Sequence, residues 1–397
     1  MTTKLAAGRD QASLFTPAPL PVAVLGEGER VACLRLIRSG NVGPVTFREL
    51  INTFGGAAAA LEALPELSRR GGGKQLRLCP KSRAEDELAA ARRLGAYPLF
   101  TLEPGYPKAL AAVEVPPPLI YAKGNTELLQ APAVAIIGSR LASAAGLKMA
   151  KTFAHELGRA GLVIVSGLAR GIDGAAHTAS LSTGTMAVLA GGIDNIYPPE
   201  HDSLYRSIGE QGCLISEMPP GFVPRAADFP RRNRIISGMS LGVLVIEAAR
   251  RSGTLLTARL AGEQGREVFA VPGHPLDPRA EGTNQLLKTG AVLATEARDI
   301  LETLEPMAGL NKQSFREIVS HPPLQLSTVV IGPPAVSDRD RAAVVQALGP
   351  HPIDLDEIGR SIGLNARDVR AIVMELDLAG RIERHGAQLI SLKPADA

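Results

Sequence analysis

VAIIGSR (134–140) and VIVSGLARGID (163–173) each open on a β-branched run and close on a turn that carries glycine and arginine. Five further apolar runs follow: MAVLA (186–190), CLIS (213–216), VLVI (243–246), VFAV before Pro272, and AVLA (291–294). Helical stretches lie between them. In 144–160, Leu147, Ala150, Phe153, Ala154 and Leu157 recur with a helical period. Continuously apolar strands that alternate with helices predict a parallel sheet covered on both faces. The expected fold class is therefore α/β, with a doubly wound parallel sheet as its core.

Ligands of such sheets bind outside the carboxyl ends of the strands. The segments at those ends are Gly138-Ser139-Arg140, SGLARGID (166–173), GGIDNIYPPEH (191–201), EMPPGFVPRAADFPRRNRII (217–236), EAARRSGT (247–254) and PGHP (272–275). Glycine lets backbone N–H groups approach an anion, and helix N-termini add partial positive charge. Arg140, Arg170, Arg225, Arg231, Arg232 and Arg234 add full charges, which predicts a groove for phosphates. Phe229, among the arginines, offers an apolar face for a base. Each element also has a structural reading. Asp173, Asp194 and Glu247 can be caps or partners of the arginines, and RRNR (231–234) can be a solvated face. The convergence of several Gly/Arg loops on one edge favours the groove.

Composition narrows the field. The 397 residues include 33 Arg but only 10 Lys, for a net charge of +3. That net charge is too small to indicate a nucleic-acid partner by itself, and a GC-rich genome accounts for the arginine total. Trp is absent and aromatics are 4%, which excludes stacking on many rings as the main binding mode. Cys33, Cys79 and Cys213 lie far apart, so no disulfide scaffold is expected. MTTKLAAGRD has no apolar signal region, and no apolar run approaches the ~18 residues of a spanning helix. A soluble cytoplasmic protein without a membrane partner is expected. No G-x-G-x-x-G follows the first strand, no P-loop is present, and no HExxH spacing occurs. Neither a cofactor nor a metal is therefore expected, and Cys213 and His177 show no activating partner.

The ends of the chain read differently from its middle. Residues 1–27 are a Pro/Ala/Gly-rich leader. Residues 28–75 form a small helical unit of the helix–hairpin–helix or sterile-alpha-motif kind, closed by RRGGGK (69–74) as a linker. The core spans 96–304, and 305–335 reads as a second linker. Residues 336–397 have a winged helix-turn-helix outline. It has helices at 338–349, 355–362 and 366–379, Asn365 as N-cap, Gly380 as stop and a two-strand wing beyond. Arg367 and Arg370 on the recognition helix are balanced by Asp368, Glu375 and Asp377, which argues against DNA reading by this tail.

The motifs VAIIGSR, SGLARGIDGAAH, AVLAGGIDNIYPPEH, SEMPPG, FPRRNRIISG, VLVIEAARRSGTLLTARLA and VFAVPGHP with EGTNQLLKTGA, spread over 97–303, resemble the DNA-processing protein A family, also called Smf. They occur in family order and at family spacing. The flanking units resemble accessory domains of many members. The resemblance implies a bacterial protein that binds single-stranded DNA without sequence preference and protects it during natural transformation. It also implies help in loading the RecA recombinase and an extended Rossmann-like parallel-sheet core that forms a homodimer. No catalytic activity is established for that family. Arg140, after Gly138 and Ser139, matches the family's phosphate-binding arginine. Ser166, Gly167, Arg170 and Gly171 match its anion-cradling turn. Phe229, Asn233 and Arg234 match the FPxRNR segment that lines the DNA pocket. Some members carry a lysine shortly before that Phe. Arg225 is the nearest basic residue here, at an inexact position.

The competing reading is a nucleotide-processing enzyme of the nucleoside-monophosphate phosphoribohydrolase type. Such enzymes place PGGxGT and a catalytic Glu after a central strand. EAARRSGT keeps the SGT turn and Glu247 but lacks the PGG.

Overall fold

The computed structural model describes residues 25–73, 76–308 and 336–393. The leader lies outside these residues up to position 24, and the second linker from 309 onward. Nine strands form the main sheet: β1 (Ala96–Phe100), β2 (Leu119–Gly124), β3 (Ala133–Ile137), β4 (Val163–Ser166), β5 (Thr185–Leu189), β6 (Cys213–Ser216), β7 (Gly242–Val245), β8 (Glu267–Ala270) and β9 (Val292–Leu293). All seven apolar runs of the sequence are strands, β3 to β9, and the nine strands lie in the order β1-β2-β6-β5-β4-β3-β7-β8-β9. From β6 to β9 every pair is parallel. The expectation of a parallel sheet needs one correction. β1 and β2 extend the edge antiparallel, with Tyr121 opposite Ser216 and Leu99 opposite Ile120.

Helices cover both faces. The core helices are α5 (Lys108–Ala111), α6 (Ala144–Arg159), α7 (Ile172–Ser180), α8 (Asp202–Gln211), α9 (Asp228–Gly238), α10 (Gly253–Glu263), α11 (Glu281–Lys288) and α12 (Ala297–Ala308). β3 and β5 are buried along their whole length, as strands between two helical layers must be. Val134, Ile136, Ile164 and Leu244 pack toward α6 and α12, while Ala135, Val165 and Val243 pack toward α9 and α10. The sheet runs outward in both directions from β3. Its neighbours β4 and β7 leave a crevice at their carboxyl ends, the switch point of a doubly wound sheet.

The N-terminal unit has four helices: α1 (Glu27–Ile37), α2 (Pro44–Phe54), α3 (Ala57–Arg70) and α4 (Lys81–Arg93). It shares a core with the sheet edge, where Leu34, Leu50 and Leu88 join Phe100, Tyr121 and Leu214. The winged-helix fold has α13 (Asp338–Ala347), α14 (Leu355–Ile362) and α15 (Ala366–Leu378), with β10 (Ile353–Asp354), β11 (Ile382–Arg384) and β12 (Leu389–Leu392). The Asn365 side chain accepts from Asp368 N–H, and Gly380 takes a left-handed φ of 73° beyond the helix. α15 lies against the N-terminal unit, where its Met374 and Leu378 enter the shared core. Asn41 Nδ2 donates to Leu378 O at 3.0 Å, Thr46 Oγ1 to Asp377 at 2.5 Å and Arg384 to Glu49 at 2.8 Å. RRGGGK, expected as a linker, is a packing joint over its described part. A Cβ at Gly71 would stand 2.0 Å from Glu375 O, and one at Gly73 would stand 2.6 Å from Ala379 Cα. The second expected linker also begins late, because α12 runs on to Ala308.

Candidate functional site

At the switch point lies a pocket of about 460 Å³, lined by Gly138, Ser139 and Arg140 after β3, Phe229, Arg232 and Asn233 on α9, and Ser252, Gly253 and Thr254 at the start of α10. Close backbone contact holds these loops in register. A Cβ at Gly138 would meet Ile172 Cγ1 at 2.5 Å. Gly171 has φ 76°, and a Cβ there would stand 2.3 Å from Ser139 O, so only glycine fits. The turn after β4 wraps a carboxylate, since Asp173 accepts from Gly167 N at 3.1 Å and Ala169 N at 3.3 Å.

Arg232 is the buried cation of the site. It is 7% exposed and donates to Gly167 O at 2.7 Å, to Val188 O, and to Asn233 Oδ1 at 3.2 Å. Burial pushes its pKa down to about 10, with Asp173 opposing and Arg140 adding to the effect. It remains charged at neutral pH. Burial likewise raises the Asp173 carboxyl, against the pull of Arg232. Beneath them, His177 is fully buried, with Nδ1 2.7 Å from Thr185 Oγ1. Its Nε2 has no partner among the described residues. Desolvation holds its pKa down to about 3, helped by His201 and Arg232.

Arg140 stands at the mouth, exposed. Its guanidinium lies over the Phe229 ring, 5.5 Å from the centroid, and it has no ion pair among the described residues. Thr254 Oγ1 donates to Gly138 O at 3.2 Å and ties the α10 turn to the β3 turn. Ser252 Oγ is buried there without a hydrogen-bond partner among the described residues. The mouth therefore combines an uncommitted guanidinium, a helix N-terminus and one aromatic face over a buried arginine. Such a surface attracts phosphates and stacks a base.

The structure sorts the residues expected at this site. Gly138, Ser139, Arg140, Phe229 and Asn233 line the pocket. Gly167, Arg170, Phe229 and Arg140 line a smaller cleft beside it, and Gly171 shapes the turn between the two. Arg170 is not uncommitted, because it forms an ion pair with Glu200. Ser166 is fully buried and donates to Ile136 O at 2.6 Å, so it fastens β4 to β3 and cannot reach a ligand. Arg234, expected among the charges of the groove, lines neither the pocket nor the cleft. It leaves α9 on another face and binds Glu217 at 2.6 Å and Val115 O at 3.1 Å. Arg231 also reaches Glu217, at 3.3 Å. Arg225 is exposed and outside both linings. The capping readings hold for three acids. Asp173 caps its turn, Asp194 accepts from Gly221 N at 2.8 Å, and Glu247 accepts from Ser143 N at 3.0 Å. Sequence reasoning did not single out Tyr197, named the Ser252–Thr254 turn only within EAARRSGT, and counted Arg232 merely as one charge among six. Among the described residues no cluster of His, Cys, Asp and Glu could hold a metal, and no helix is long and apolar enough to cross a membrane.

Comparison with known proteins follows the same division of the chain. Residues 98–305 match the model of the DNA recombination-mediator protein A family. Residues 27–90 match the DprA-like N-terminal HHH domain, and 332–388 the DprA winged helix domain. Protein Smf of Escherichia coli is 48% identical over 203 residues, which cover 50% of this chain and 54% of that protein. The chain thus matches about half the length of that relative. DNA processing protein DprA of Streptococcus pneumoniae is 42% identical over 223 residues, covering 55% of this chain and 79% of the relative. The X-ray structure of DprA from Streptococcus pneumoniae superposes with a TM-score of 0.53 at 40% identity, over 56% of this chain and 78% of that one. With the family model spanning the whole sheet and pocket, the chain belongs to the DNA recombination-mediator protein A family.

Proposed function

We propose that this chain binds single-stranded DNA without sequence preference, through the pocket at the carboxyl ends of β3, β4 and β7. The observation that carries this reading is the Arg140–Phe229 pair over buried Arg232. Arg140 takes a backbone phosphate, Phe229 a base, and the amides of the α10 turn a second phosphate. Gly138, Ser139, Gly167 and Gly171 bring the backbone close. Arg170 contributes once Glu200 yields it, and Arg225 and Arg231 add long-range attraction from the rim. Asn233 orients Arg232, while Ser166 and Arg234 hold the framework.

We propose further that this binding serves recombination of incoming DNA in the bacterial cytoplasm, where the chain protects the strand and loads RecA. It works there as a homodimer through the Rossmann-like core. An enzymic role finds little support in the geometry. The carboxylate that a phosphoribohydrolase would use, Glu247, accepts from both Ser143 N and Ser143 Oγ. A Cβ at Gly146 would stand 2.6 Å from that carboxylate, so it is seated against α6 as a cap. Incubation with nucleoside monophosphates is expected to release no free base.

The binding test is fluorescence anisotropy with oligo-dT across a salt series. Log K is expected to fall with log salt by about 0.7 per phosphate neutralised. An affinity independent of salt would overturn the reading.

A further inference from the structure

Tyr197 follows β5 in the loop GGIDNIYPPEH and is 46% exposed. It stands beside Phe229, with ring centroids 5.4 Å apart and planes at 59°. Arg140 also lies over the Phe229 ring, so Phe229 is in contact with both Arg140 and Tyr197. Tyr197, Arg170, Arg140 and Gly167 enclose a second, shallow cleft contiguous with the main pocket. A half-exposed aromatic ring in one cleft with two guanidinium groups has the make-up of a nucleotide subsite, with a π-face for a base and cations for the phosphates.

We propose that Tyr197 is the stacking platform of a second nucleotide subsite, which takes the base next to the one held at Phe229 with the linking phosphate between Arg140 and Arg170. This rests on the strand-binding reading above and deepens it. The geometry also supplies a selectivity. Regular stacking repeats every ~3.4 Å with parallel base planes, whereas the two rings are 5.4 Å apart and tilted by 59°. Two successive bases can use both rings only when splayed apart. A single strand allows that, and a paired duplex does not. The ligand class is a single-stranded polynucleotide of any sequence. Glu200, which holds Arg170, is displaced as the linking phosphate arrives.

The chain has no tryptophan, so Tyr197→Trp introduces a single indole reporter. In the full chain, Tyr197→Trp is expected to bind oligo-dT about as well as the unsubstituted protein. Its emission should be quenched on titration, with the same midpoint as the anisotropy. Tyr197→Leu keeps apolar packing on Phe229 but has no π-face. It should melt like the unsubstituted chain, bind oligo-dT roughly five- to thirtyfold more weakly, and keep the salt slope. Its affinity for a blunt duplex should not change, and Tyr197→Phe should restore strand binding. Suppose Arg140→Ala and Phe229→Ala weaken oligo-dT binding, while Tyr197→Leu binds normally and the Tyr197→Trp emission stays flat. Then Tyr197 only packs the loop, and the inference is overturned with the strand-binding reading intact. If the unsubstituted chain does not bind oligo-dT, both are overturned.

Discussion

The winged-helix tail and the core pocket use their arginines in different ways. In the winged-helix tail, Arg341 binds Glu375 at 2.7 Å and Asp338 at 2.9 Å. Arg384 binds Glu49 at 2.8 Å and Asp377 at 2.7 Å, and Arg381 donates to Gly71 O at 3.3 Å. These guanidinium groups fasten α15 to α13 and to the N-terminal helices. The C-terminal part of the recognition helix thereby serves as an internal joint. In the core pocket, Arg140 meets an aromatic ring, and Arg232 meets backbone carbonyls with Asp173 as its counter-charge. Arginine content thus says little about ligand binding. What decides is whether a carboxylate from another element has already taken the fork.

The comparison can be broken most forcefully at Arg232. Arg232→Gln should cost roughly 3–5 kcal/mol of stability, because it strands a buried carboxylate and two buried carbonyls. Denaturant titration measures this, and a loss below about 1 kcal/mol would remove Arg232 as the keystone of the pocket.

Acid should separate the regions next. His177 has a folded pKa of about 3, below its ordinary 6.5, so the unfolded chain binds the extra proton first. The stability held by neutral His177 is complete above pH 6.5. It should fall by about 1.4 kcal/mol per pH unit below that, until about pH 3. Asp173 acts with the opposite sign, since its raised folded pKa favours the folded state as pH falls. His177→Gln isolates the histidine. If unfolding free energies of that variant and the unsubstituted chain keep a constant difference between pH 7 and 5, the account of His177 fails.

Arg140→Ala should weaken oligo-dT binding ten- to a hundredfold with stability unchanged, since a charge-assisted hydrogen bond is worth about 1.5–3 kcal/mol. The loss should be the same on dT, dA and mixed sequence. Arg140→Lys should recover only part of it if the contact is a bidentate fork. Arg370→Ala, on the exposed face of the recognition helix, marks the small end of the scale, with affinity expected within twofold of the unsubstituted chain.

The same contrast explains what could be read from the sequence. The seven apolar runs, the Asn365 cap and the Gly380 stop are local signals, and each appears where expected. β1 and β2 were missed because AYPLF carries a proline and PPPLIYAKG begins with three, so both resemble loops until an edge pairs with them. α4 was missed because it buries only Ala84, Leu88 and Ala91. Gly71 and Gly73 looked like linker residues, although their smallness serves contact with a helix some 300 positions away. In RRNR the difficulty was phase. Residues two apart on a helix point to nearly opposite sides, so Arg232 turns inward and Arg234 to Glu217. The start of α9 at Asp228 had to be known before the two could be told apart. A guanidinium without a carboxylate partner cannot be seen in a sequence at all, because ion pairs such as Arg384–Glu49 span 335 positions.

The most direct test of the central claim is a crosslinking map of the full chain with oligo-dT carrying a photoreactive thymidine. Peptides spanning the loop after β3, Tyr197 and Phe229 should carry the crosslinks, and Arg140→Ala should abolish most of them. Crosslinks concentrated in residues 366–393, undiminished by Arg140→Ala, would move the DNA site to the tail and contradict the account.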